Sequence, residues 1–237
     1  MQFKGLEKTS LIEWPEKAVA VAYTGGCNFR CPFCQNQDLV LNPEKLPTIS
    51  EEEIINYIDS RKKWLDGLMV TGGEPSIHPS LFNFADKVKE KKLDFGTETN
   101  GTNPKIIEKF LKENLIDRVA LDIKAPLRWK KYKKATGTND KKLLKKIKKT
   151  IKIIRNSNIS YEFRTTVVPK LLEKEDMLNI GAEIQKTENY YLQQFVPENT
   201  LDKEYENLEP YSEEKLKEIK KLLKENYGLK NCKIRNL

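Results

Sequence analysis

Three cysteines, Cys27, Cys31 and Cys34, stand within one short stretch with the spacing C-x3-C-x2-C. Thiols this close can bind a metal ion or an iron–sulfur cluster. A structural zinc site takes four protein ligands, commonly from paired knuckles. Here the fourth cysteine, Cys232, lies far along the chain, and His78 is the only histidine. Iron–sulfur clusters usually take four thiolates, so three thiolates on a four-iron cluster leave one iron open. An open iron offers a place for a substrate, the logic that also marks catalytic zinc sites. The alternative is a cysteine-rich zinc loop that draws on Cys232 as its fourth ligand.

Other polar and glycine-rich segments carry chemistry too. They are Gly72-Gly73-Glu74-Pro75, Glu98-Thr99-Asn100-Gly101 and Asp122-Ile123-Lys124. Glycine lets a backbone approach a ligand closely, although two glycines can equally mark a tight turn. Asp122 and Lys124, two apart on a strand, face the same side and can pair with each other.

These segments have one thing in common: each follows or ends a short run that reads as a strand. The runs are Lys17 to Thr24, Gly67 to Thr71, Leu93 to Thr99, Val119 to Ile123, Tyr161 to Val168 and Tyr190 to Val196. The first is nearly continuous in Ala and Val, as a strand buried on both faces requires. Helical patterns alternate with them. Ser50-Glu51-Glu52-Glu53 reads as a capping box. Pro79 reads as a first-turn proline, and Asn103-Pro104 as an N-cap and first-turn pair. A last helix is expected from about Ser212 to Tyr227, with Gly228 as its stop. The expected architecture is α/β, a partial (β/α)6 barrel of parallel strands, in a single domain over residues 1–237. In such folds ligands gather at the carboxyl ends of the strands.

The run Cys27-Asn28-Phe29-Arg30-Cys31-Pro32-Phe33-Cys34 resembles the cluster loop of the radical S-adenosylmethionine superfamily, including the aromatic Phe33 before the third cysteine. Gly72-Gly73-Glu74-Pro75 resembles its GGEP motif. Lys8-Thr9-Ser10-Leu11-Ile12-Glu13-Trp14-Pro15 looks like the start of glycyl-radical-enzyme activases. The likeness runs over the whole chain. It is strongest to the activating proteins of anaerobic ribonucleoside-triphosphate reductase, with pyruvate formate-lyase activases next.

The resemblance implies a 4Fe-4S cluster on Cys27, Cys31 and Cys34, with S-adenosylmethionine chelating the open iron. An electron from the cluster then cleaves the sulfonium to a 5′-deoxyadenosyl radical. In activases that radical takes hydrogen from a glycine of a partner enzyme. It also implies cofactor contacts from Phe33, Gly72, Gly73, Glu74, Glu98, Thr99 and Asn100, and roles near cofactor and substrate for Asp122 and Lys124. Glu98, Thr99 and Asp122 match residues that hold a monovalent cation in pyruvate formate-lyase activases, with Glu98 in place of an Asp. Arg164 and Val168 are further candidates, for the cofactor's carboxylate and its adenine. Pyruvate formate-lyase activases carry a cofactor-contacting His near the sixth strand; Gln193-Gln194-Phe195 stands there instead, which favours the reductase type. The implied partners are a glycyl radical enzyme and a low-potential electron donor of the ferredoxin or flavodoxin type. The alternative is a radical enzyme acting on a small molecule, of the kind that 7-carboxy-7-deazaguanine synthase represents.

Composition agrees with a globular protein. Charged residues make up 33% of the 237, hydrophobic ones 38%, and the net charge is +8. No apolar run is long enough for a membrane span, and the N-terminal residues lack the apolar core of a secretory signal. A cytoplasmic location is therefore expected. The lysine excess, densest from Lys141 to Lys152, reads as a solvated face, and a nucleic-acid partner is not expected.

Overall fold

The computed structural model describes residues 1–236. The strands are β1 (Gln2–Phe3), β2 (Gly5–Ser10), β3 (Val19–Thr24), β4 (Ile49–Ser50), β5 (Gly67–Gly72), β6 (Asp94–Thr99), β7 (Arg118–Asp122), β8 (Ser160–Val167), β9 (Asn189–Gln194) and β10 (Asn231–Arg235). The helices are α1 (Gln37–Leu41), α2 (Glu51–Ser60), α3 (Leu81–Glu90), α4 (Pro104–Lys112), α5 (Trp129–Thr136), α6 (Leu143–Arg155), α7 (Lys174–Glu183) and α8 (Glu213–Tyr227). Eight strands form one sheet in the order β10-β9-β8-β7-β6-β5-β3-β2, parallel throughout except for β2, which runs against β3. The fold is α/β, with mostly parallel strands alternating with helices.

The six expected parallel strands are β3 and β5 to β9. In β3, Val19 to Ala22 are fully buried on both faces. One face packs under the helices, through Ile54, Ile58, Phe84, Phe110, Ile147, Ile180 and Leu223. The other face curls around a smaller cluster of Trp14, Val19, Val21 and Met69. Residues at or just beyond the ends of β5, β6, β7, β8 and β9 line a single cavity with the loop after β3. A flat sheet could not bring strands so far apart in order onto one cavity, so the sheet is curved as a partial barrel.

Some elements lie outside the sequence reading. The sheet has eight strands, because β2 and β10 close its two edges, and α5 and α7 are additional helices. The Ser50 capping box is present in both directions, with Glu53 accepting from the Ser50 N–H at 2.7 Å. Gly228 ends α8 in the left-handed region at φ 64°. Two details are corrected. Pro79 lies in the turn before α3, whose N-cap is Ser80. Asn103 occupies an N-cap position, but its side chain donates to the Ser76 carbonyl at 2.8 Å instead of capping α4. On the lysine-rich α6, Lys148 and Lys149 pair with Glu183 and Glu108 at the surface.

Candidate active site

The loop after β3 carries the three cysteines and is tied down from several directions. The Gly26 N–H donates to the Leu39 carbonyl at 2.7 Å, and the Arg30 N–H to the Thr136 carbonyl of α5 at 2.8 Å. The Pro32 and Cys34 carbonyls accept from the Asp202 and Leu201 N–H groups at 2.9 and 3.0 Å. Phe29 sets its edge against Tyr132, ring centroids 6.2 Å apart. The loop is thus fixed by segments distant in sequence.

Cys27, Cys31, Phe33 and Cys34 line the cavity together with Gly72, Gly73, Glu74, Glu98, Thr99, Asn100, Asp122 and Lys124. Every one of these came from the sequence. Arg164 and Val168 are not among the lining residues. Val168 is fully buried in the core, so a contact with adenine would need it to move. Residues that the sequence reading passed over also line the cavity, among them Asn36, Thr71, Thr166 and Phe195. Thr71, Thr166 and Phe195 sit at strand ends, a positional signal that was available. Asn36 gave none: its amide donates to the Gly72 carbonyl at 3.2 Å across the cavity mouth.

Gly72 and Gly73 are glycines because the end of β3 presses on the first and the cysteine loop on the second. Gly72 has φ +108°, and a Cβ on Gly73 would stand 1.8 Å from the Gly26 carbonyl oxygen. The Gly73 N–H donates to Thr24 and the Glu74 N–H to Gly26, each at 2.9 Å. The Gly-Gly pair therefore serves first to seat the cysteine loop.

The Glu74 carboxylate is buried and faces the end of β6. It accepts from the Thr99 hydroxyl at 2.7 Å, the Asn100 N–H at 2.6 Å and the Ser76 N–H at 3.1 Å. Burial raises its pKa, and these donors pull it partly back. Asn100 continues the chain of contacts: its amide donates to the Asn28 side chain at 2.8 Å, beside Cys27.

Lys124 pairs with Asp122 at 2.7 Å at the cavity wall. Burial lowers its pKa, but Asp122, Cys31 and Cys34 outweigh this and raise it, so the ammonium keeps its charge. Burial pushes the Cys31 thiol up to about 12 and the Cys27 thiol up to about 11, against the pull of Lys124. The ammonium is therefore placed to favour thiolates once a metal displaces their protons.

Arg164 is bound to three carboxylates. Its guanidinium pairs with Glu98, with Glu162 and, at 3.1 Å, with Glu13. Glu162 also takes Arg118 at 2.5 Å and Arg235 at 3.0 Å. With its donors engaged inside the barrel, Arg164 does not reach the cavity to meet the cofactor's carboxylate. Glu98 is likewise engaged, accepting also from the Thr71 hydroxyl at 2.5 Å.

The cysteines suit a cluster better than a single ion. Among the described residues no group of three or more His, Cys, Asp or Glu side chains could hold one metal ion. Cys232 is buried on β10, the edge strand of the sheet, between Tyr190 of β9 and the lysines of α8. It cannot complete a zinc site with a loop that follows β3. His78 points to the Gly25 carbonyl at 2.9 Å and takes no part in the cavity wall. Three thiols lining one cavity, with the Lys124 ammonium in the same lining, fit a polynuclear iron–sulfur cluster with one iron open. The monovalent cation is not matched in the same way. Glu98 is taken by Arg164, Asp122 by Lys124, and the Thr99 hydroxyl donates to Glu74.

Comparison with known proteins agrees with this geometry. Residues 21–180 match the model of the Radical SAM superfamily. A Methanocaldococcus jannaschii protein named "Putative glycyl-radical enzyme activating enzyme" is 35% identical over 223 residues, 93% of this chain and 90% of its own. The pyruvate formate-lyase-activating enzyme of Streptococcus mutans is 26% identical, over 76% of this chain and 71% of its own. A Pyrococcus horikoshii protein named "Probable GTP 3',8-cyclase" is 32% identical over 140 residues, 59% of this chain and 44% of its own. Streptococcus suis SuiB, solved with S-adenosylmethionine bound, superposes with a TM-score of 0.70 at 15% identity. That match covers 92% of this chain but spans only 50% of SuiB, and it speaks to the fold alone. No helix among the described residues is long and apolar enough to cross a membrane. The sequence match over most of the chain, and the cysteine loop set at the carboxyl ends of a curved parallel sheet, place this protein in the Radical SAM superfamily.

Proposed function

We propose that this protein activates a glycyl radical enzyme of the anaerobic ribonucleotide reductase or pyruvate formate-lyase type. The observation that carries the reading is one cavity shared by three loop cysteines and the polar ends of the parallel strands. The relationship to a protein named as a glycyl-radical enzyme activating enzyme over 93% of the chain points it toward activation. When bound, a 4Fe-4S cluster with S-adenosylmethionine supplies a one-electron cleavage that yields a hydrogen-abstracting radical.

The residues divide the remaining work. Cys27, Cys31 and Cys34 hold the cluster. Gly72, Gly73 and Asn36 present backbone and amide groups at the cavity mouth. Lys124 keeps a positive charge beside the thiols, and Asp122 keeps Lys124 in place. Phe33 and Phe195 give the cavity apolar walls. Residues at its rim such as Gln35 and Asn36 are exposed, which leaves access for a segment of a partner protein.

The test is to mix reconstituted protein, S-adenosylmethionine and a strong reductant with an anaerobic ribonucleotide reductase under argon. A doublet glycyl-radical signal in electron paramagnetic resonance supports activation. Rapid turnover of a small metabolite, with no protein radical in any glycyl radical enzyme tried, favours the second reading. That reading, a small-molecule enzyme, draws on the likeness to the cyclase.

A further inference from the structure

Inside the barrel, below the cavity, negative side chains converge from three parts of the chain. Glu13 comes from the segment after β2, Glu98 from β6 and Glu162 from β8. One guanidinium, that of Arg164, meets all three. It is nearly fully buried, and it pairs with Glu98, which lines the cavity. A buried carboxylate must be met by a cation, a proton or hydrogen-bond donors; donors meet Glu74, whereas a guanidinium meets Glu98. Here the cation is covalently part of the chain. Another cavity carboxylate, Asp122, is met in the same way by Lys124 at 2.7 Å.

We infer that Arg164 is a built-in replacement for a dissociable monovalent cation, so that the site binds S-adenosylmethionine without one. The inference rests on the functional reading above only in taking S-adenosylmethionine as the ligand. Three details support it. Both oxygens of Glu98 are used, one by Arg164 and the other by the Thr71 hydroxyl. The Thr99 hydroxyl donates to Glu74 and accepts from the Gly101 N–H at 3.1 Å, so it is already tied into the turn between β5 and β6. Arg164 is itself anchored from behind by Glu162, and Glu162 is shared with Arg118 and Arg235. The guanidinium is therefore held in place on the far side and spends its near side on Glu98. Arg164 is a positioning residue: it acts through Glu98 and touches no cavity ligand.

The experiment uses reconstituted holoprotein in buffers whose only small cation is potassium, sodium or choline, at equal ionic strength. S-adenosylmethionine affinity is measured by calorimetry, and rubidium-86 retention by equilibrium dialysis with the cofactor present. The expected result is an affinity constant to within about twofold across the three buffers, with no stoichiometric rubidium retained. A loss of about tenfold in choline, restored by potassium or sodium, overturns the inference. So does retention of rubidium at about one ion per chain, the stoichiometry of a single coordinated site.

Arg164→Gln removes the built-in charge, and the folded fraction is checked first by circular dichroism. In that variant the affinity is expected to become cation-dependent, weaker in choline by about tenfold and recovering with potassium. A merely structural arginine would not produce such dependence, and a folded variant that stays indifferent to cations sinks the assignment. If Arg164→Gln does not fold, Glu98→Gln is the second variant; it removes the carboxylate that calls for a cation and is expected to stay indifferent to cation identity. Cation dependence in Glu98→Gln would overturn the inference. Holoprotein that binds no S-adenosylmethionine in any buffer would instead refute the functional reading.

Discussion

The hydroxyl of Thr99 donates to the buried Glu74 carboxylate at 2.7 Å, joining the end of β6 to the turn after β5. Glu74 also holds the Asn100 and Ser76 N–H groups, so one side chain fixes the backbone after β6 and its own turn after β5. Replacing it with Ala leaves these donors buried and unpaired. Glu74→Ala is expected to lose about 1–3 kcal/mol of stability, seen as a lower midpoint in urea. The loss should be accompanied by weaker cofactor binding. A variant with unchanged midpoint and unchanged affinity would show that these contacts do not matter.

Gly73 bears directly on the cysteine loop. A side chain there would collide with the Gly26 carbonyl. Gly73→Val is therefore expected to displace the loop, costing about 3 kcal/mol, and to reduce iron content after reconstitution. Full iron loading with only a raised KM for S-adenosylmethionine would mean that the loop tolerates the change.

Asp122 and Lys124 offer a separation of functions. Neither belongs to the cysteine loop, so cluster assembly should survive their replacement. Lys124→Ala removes the charge beside Cys31 and leaves Asp122 unpaired. The expected result is near-normal iron content with radical yield on the partner enzyme reduced by about tenfold or more. Asp122→Asn should act in the same direction. Equal loss of iron and of radical would place the pair in cluster assembly instead.

Cys232 gives a prediction in pH. Burial pushes its thiol up to about 12, with Lys224 and Lys220 pulling weakly the other way. An acid with a raised folded pKa favours the fold while protonated. Its contribution is complete below the unfolded thiol value, about 8.5, and is lost as pH rises toward 12. At pH 10 the loss is about 2 kcal/mol. Cys232→Ala should therefore flatten the alkaline fall in the stability of the apoprotein and leave iron content intact. An alkaline limb as steep as that of the native chain, or a loss of iron, would contradict the placement of Cys232 in the core.

The sequence by itself determined the α/β alternation and the chemistry at the strand ends. A strand buried on both faces must be apolar along its length, and Val19 to Ala22 say so without help. The spacing of Cys27, Cys31 and Cys34 is local, so one loop must carry all three. Strand ends in a parallel sheet share one edge, and this alone gathers Gly72, Glu98, Asp122 and Lys124. The tertiary structure decided what those residues touch. Gly73 lines the cavity as its spacing suggests, but only the fold shows that Gly26, from another loop, also stands against it. Arg164 reads as a ligand for a carboxylate until Glu13, Glu98 and Glu162 close around it from three elements. The edge strands β2 and β10 are rich in polar residues and carry no continuous apolar run, and they become strands through pairing with β3 and β9. Such contacts depend on the curvature of the sheet and on side-chain reach in three dimensions, and neither is written in local spacing.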